Sequence, residues 1–128
     1  MISNINLLAG WIGVLGGAAS GALIGLFFHR DDWAGGYGSF RRRMLRLGHI
    51  AFFGIGFLNF ALALTFTSVA LPALHTQLAS HAMVAGAITM PTVCFLSAWR
   101  KPFRHLFFIP VLSVLLSAIA VVAGWPQQ

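Results

Sequence analysis

The chain has 128 residues, of which 59% are hydrophobic and 8% charged, with 8 Lys and Arg against 2 acidic residues and a formal net charge of +6. A soluble domain is about 25% charged, so this composition excludes an ordinary water-exposed fold and points to lipid. The basic excess does not imply nucleic acid, because the arginines flank apolar runs, where membrane topology and anionic headgroups account for them.

Crossing a bilayer core of about 30 Å takes roughly 20 apolar residues in a helix. Four uncharged runs have about that length, at positions 7–28, 47–69, 80–99 and 106–124. Unsatisfied backbone groups restrict membrane-spanning structure to helices and closed barrels, and these runs lack the alternation a barrel needs. The predicted fold is an all-α integral membrane protein, a single four-helix transmembrane bundle over residues 1–128.

The first span follows MISNIN, which has no Lys or Arg to form the basic region of a secretory signal, so it is expected to be retained. Within it Gly13, Gly17, Gly21 and Gly25 recur every four residues, with Gly16 and Ser20 beside them. Small residues at that spacing let a neighbouring helix approach closely. The stripe fits a partner helix of the same chain and a partner subunit equally well.

All eight basic residues lie in two connections. Arg30, Arg41, Arg42, Arg43 and Arg46 follow the first span, and Arg100, Lys101 and Arg104 follow the third. Basic loops stay on the cytoplasmic side. Both termini and the segment LPALHTQLA are therefore expected on the non-cytoplasmic side, with an inner (cytoplasmic) membrane as the location.

The second span opens with FRRRMLRLGHIAFFGIGFLNF. At helical spacing, His49, Phe52 or Phe53, Gly56 and Asn59 share one stripe. An amide at that depth is costly unless it faces inward, so the stripe is expected to face the bundle interior. The fourth span begins similarly with Arg104 and His105. Two imidazoles from different helices, a small residue under the macrocycle and basic groups for the propionates are what a b-type haem requires. In that reading His49 and His105 ligate the haem iron, Gly56 makes room, and Arg46 and Arg104 meet the propionates. Phe52, Phe53, Phe107 and Phe108 surround the ring. Taken singly, each residue also has a plain structural reading, since histidine, arginine and glycine are all common at membrane-helix ends. His29, beside Arg30, is a third ligand candidate. His75 and His81 are six apart, which matches neither helical pairing for two ligands on one face.

Pro91 falls mid-span and is expected to kink the third helix, with Thr or water taking the freed carbonyls. Cys94 is the one cysteine and reads as a packing residue. Trp11, Trp99 and Trp125 sit near predicted interfaces, while Trp33 and Tyr37 in DDWAGGYGSF are expected on the cytoplasmic surface. Asp31 and Asp32 are the only acidic residues, so no carboxylate lies within a span to relay protons. No phosphate loop, nucleophile elbow or metalloprotease helix appears, and enzymatic activity by the chain alone is not expected.

Three functions fit these features. One is a haem-bearing or quinone-associated electron-transfer subunit. Another is a non-catalytic subunit or small homo-oligomer packing through the glycine stripe. The weakest is a small transporter built on Asn59 and the Pro91 kink, because one amide and a few hydroxyls line a path poorly.

Overall fold

A computed structural model describes residues 2–126. It comprises four α-helices: α1 (Ile2–Phe27), α2 (Phe40–Ser68), α3 (Ala73–Trp99) and α4 (Phe108–Ala123), the last led in by a 3-10 segment, Lys101–Phe107. No strand is present among the described residues, and four helical segments are long and apolar enough to cross a membrane.

The helices outrun the apolar runs where capping favours them. α2 starts at Phe40 rather than near 47, because Ser39 accepts a hydrogen bond from the backbone N–H of Arg42 at 3.1 Å. Such a cap satisfies an orphan donor and is typically worth about 1 kcal/mol. The arginines that follow are good helix formers, so the basic cluster lies on the helix itself. α3 begins at Ala73, directly after Pro72, whose fixed φ suits the start of a helix. Most of LPALHTQLA is therefore helical, and His75 and His81 belong to α3.

α3 is the hub. It packs on α1, α2 and α4, while α1 packs most extensively on α2. α4 rests chiefly on α3, and its Ala120, Val114 and Val121 join Ile55, Leu62, Ala79 and Met83 in one apolar cluster. The α2–α3 pair thus has α1 on one side and α4 on another.

Size and polarity are distributed inside out. Buried side chains include Asn6, Asn59, Ser80, Ser97 and Ser117, whereas Leu15 is 69% exposed and Val122 75%. This pattern suits helices that associate through small and polar contacts while large apolar groups face lipid. Asn6 is the central knot: its Nδ2 donates to Asn59 Oδ1 at 2.8 Å, and its Oδ1 accepts from Ser80 at 2.5 Å, tying α1 to α2 and α3. Asn59 also donates to Ile55 O at 2.9 Å. Ser117 donates to Ala79 O at 2.7 Å and fixes α4 to α3. Pro91 is buried within a helix assigned continuously from Ala73 to Trp99. The Thr89 and Thr92 hydroxyls donate to Ala85 O and Ile88 O. They do not reach Ala87 O, the carbonyl that proline leaves without its N–H partner.

Candidate functional site

At the basic end of the bundle the α1–α2 connection reverses through Trp33–Gly35. Ala34 and the two following glycines, with φ of 86° and 89°, are consecutively left-handed, a conformation in which glycine avoids a steric cost. The reversal is organised by Arg42, which is 2% exposed. Its guanidinium donates to Phe28 O at 3.0 Å, Arg30 O at 3.3 Å and Asp31 O at 3.4 Å, and lies 4.7 Å from the Phe28 ring centroid. These carbonyls lie at and just past the C-terminus of α1, where unpaired acceptors and the helix dipole both favour a cation. Trp33 is half-buried and stacks on Phe27, and Tyr37 packs beside Phe28 and Arg42.

The glycines of α1 meet α2 along this same interface. A Cβ on Gly13 would lie 2.6 Å from Phe52 O and 2.9 Å from Gly56 Cα. One on Gly17 would press on the Phe53 ring and one on Gly21 on the His49 ring, but nothing lies within 4 Å of that on Gly25. A strict four-residue spacing advances about 40° around a helix per step, so by Gly25 the stripe has turned off the α2 contact.

That divergence opens a cleft of about 350 Å³ between α1 and α2, lined by Gly21, Ile24, Gly25 and Phe28 on one wall and Arg46, His49 and Ile50 on the other. His49 Nδ1 is 2.9 Å from Gly17 O and 3.2 Å from Ser20 Oγ. A carbonyl oxygen only accepts, so Nδ1 carries the proton and Nε2 of the neutral ring keeps its lone pair. Among the described residues Nε2 has no hydrogen-bond partner, and it is not fully buried. Holding one ring nitrogen on a backbone carbonyl is the arrangement that orients an imidazole for a ligand at the other. Arg46 lies one helical turn before His49 in the same wall, its guanidinium 4.5 Å from the Tyr37 ring centroid.

The remaining sequence-predicted residues lie elsewhere. Gly56 packs backbone to backbone on α1, its added Cβ 3.2 Å from Gly10 O, so the gap it leaves is occupied by α1. Arg104 and His105 are exposed on the 3-10 segment against α3, and α2 makes no substantial contact with that segment or with α4. His49 points toward α1, roughly 120° around α2 from Ile55, which belongs to the apolar cluster built with α3 and α4. The fold therefore brings together His49, Arg46, Gly17 and Gly21, and does not bring His105, Arg104 or Gly56 to them. His29 is exposed beyond the end of α1, and no group of three metal-ligating side chains is found among the described residues. Asn59 and Pro91 are buried in helix contacts.

Sequence reasoning missed Arg42 and Asn6. Arg42 had a signal in the Ser39 cap and the aromatic, glycine-rich turn before it; Asn6 had one in being a polar residue on the approach to the first span. A second, apolar groove of about 510 Å³ runs along α1, closed by Trp33, by Leu45 and Phe52 of α2 and by Phe95 of α3.

Comparison with protein-family models, with curated proteins and with solved structures finds no match to this chain. The class is thus defined by the fold alone: an all-helical bundle whose described residues include four helical segments with the length and apolar character of a membrane span, the fourth being Lys101–Ala123.

Proposed function

We propose that the chain is an integral membrane protein of the inner membrane, with both basic connections cytoplasmic and both termini opposite. In this reading it serves as a subunit or small oligomer of a membrane complex in a haem- or quinone-associated redox role. The observation that carries it is His49: an imidazole held through Nδ1 on Gly17 O, lining one cleft together with Arg46.

A haem in this setting takes His49 as one iron ligand and Arg46 at a propionate. Because His105 and Arg104 lie on an element that does not pack against α2, their participation requires a second subunit, which fits a chain working as part of an oligomer. The non-catalytic alternative is weakened at one point, since Gly13, Gly17 and Gly21 already meet α2 of the same chain.

The test is the absorption spectrum of protein purified from haem-replete cells, oxidised and then reduced with dithionite. A low-spin b-type spectrum at near-stoichiometric haem, lost in His49→Ala and in His105→Ala but kept in His75→Ala, supports a bis-histidine haem. Loss in His49→Ala alone assigns the second ligand to another residue. A featureless spectrum removes the haem and leaves the quinone-associated role.

A further inference from the structure

We propose that the His49–Arg46 cleft binds the head of a tailed hydroquinone and prefers this reduced form to the quinone. The inference rests on the redox-associated reading above and names its ligand class.

The two polar groups in the cleft differ in kind. His49 Nε2 can only accept, because Gly17 O holds the ring proton on Nδ1. The Arg46 guanidinium can only donate. A ligand seated in the cleft that satisfies both must offer a donor to His49 and an acceptor to Arg46, and a phenolic hydroxyl offers both: its O–H donates to Nε2 while its oxygen accepts from Arg46. A quinone carbonyl engages Arg46 but sets oxygen lone pairs against the Nε2 lone pair. A phosphodiester headgroup has the same defect, being all acceptor. Sites built to bond a hydroxyl discriminate strongly against analogues lacking it, because a buried polar group is left unpaired.

The rest of the cleft suits a tailed aromatic. Gly25 leaves open space on α1, and Ile24, Phe28 and Ile50 line the cleft with apolar surface. A volume of about 350 Å³ accommodates a substituted ring, and such pockets are typically apolar with a few converging polar groups. Arg42, the buried arginine at this end, already donates to three carbonyls. Among the described residues the half-buried Arg46 has no hydrogen-bond acceptor, and its guanidinium rests on Tyr37 with its donors free for a ligand.

The experiment uses the full chain in lipid nanodiscs, titrated calorimetrically with decylubiquinol and, separately, decylubiquinone. The hydroquinone is expected to bind roughly fivefold tighter or more, the span of one well-made hydrogen bond. Gly25→Leu, whose side chain enters open space in the cleft, should abolish both affinities with the helical circular dichroism unchanged. His49→Phe should erase the preference while retaining weak binding. Equal affinities, a preference for the quinone, or binding that survives Gly25→Leu overturns the proposal. The haem spectrum separates the two readings, because Nε2 has one lone pair and serves one ligand at a time: a haem-free protein that selects the hydroquinone supports this site, and a low-spin haem lost in His49→Ala overturns this inference while leaving the redox reading in place.

Discussion

Gly13 is the most demanding position in the α1–α2 interface, and Gly13→Ala tests the packing argument directly. The added methyl would sit 2.6 Å from Phe52 O, about 0.8 Å short of ordinary contact at 3.4 Å, and its neighbour is backbone rather than a side chain that can swing away. Overpacking of this kind costs about 1–3 kcal/mol, while exchanging glycine for alanine in a helix returns about 1 kcal/mol. The net is a loss of about 1 kcal/mol. Gly25→Ala is the internal control, since nothing lies within 4 Å of its new methyl and only the gain of up to about 1 kcal/mol remains. The two variants should therefore differ by about 2 kcal/mol, a factor of roughly 30 in the population of open molecules. Cys94, the single cysteine, is fully buried, so its labelling by a thiol-reactive fluorophore in mild detergent reports that opening. Labelling should quicken about fivefold in Gly13→Ala and slow in Gly25→Ala relative to wild type. Equal rates in the two variants, or a Gly13→Ala protein no faster than wild type, would refute the close-packed interface.

Three further outcomes can be checked. An Asn6→Ala and Asn59→Ala double-mutant cycle should show a coupling of about 0.6–1.7 kcal/mol, the range for interhelical hydrogen bonds between membrane helices, and thermal unfolding that is additive within about 0.3 kcal/mol would remove the link. Arg42→Lys should speed limited proteolysis within residues 29–38 several-fold, because an ammonium cannot span the Phe28, Arg30 and Asp31 carbonyls as the planar guanidinium does; an unchanged rate would mean the turn holds itself. In a Cys94→Ala background, an impermeant maleimide should label Gln77→Cys on intact cells and Gly38→Cys only after permeabilisation, both sites being exposed, and the opposite pattern would invert the proposed topology.

Much of the fold was legible because hydropathy and charge are local. Four apolar runs read as four helices, and the clustering of all eight basic residues in two connections follows from their positions alone. Helix ends were less legible, since hydropathy sees apolar length whereas the helix sees caps: Ser39 and Pro72 moved α2 and α3 outward past the predicted spans. In the site, the stripe through His49, Gly56 and Asn59 was visible as a stripe, but what it meets was not. Spacing treats Gly13 and Gly25 alike, and only the neighbouring helix distinguishes the one pressed on Phe52 O from the one in open space. Arg42 and Arg46 are equivalent in composition, yet one closes the end of α1 and the other lines a cleft.

The amino-acid sequence by itself determined the number of helices, their apolar character and the concentration of charge at one end, because these depend on each residue's own transfer free energy and its near neighbours. The tertiary structure alone decided that α1 rather than α4 lies against His49, that Gly17 O sets the tautomer of its ring, and that Asn6 joins three helices. Those facts depend on how each helix is rotated about its axis and which helix stands beside it, and both arise from contacts between residues far apart in the chain.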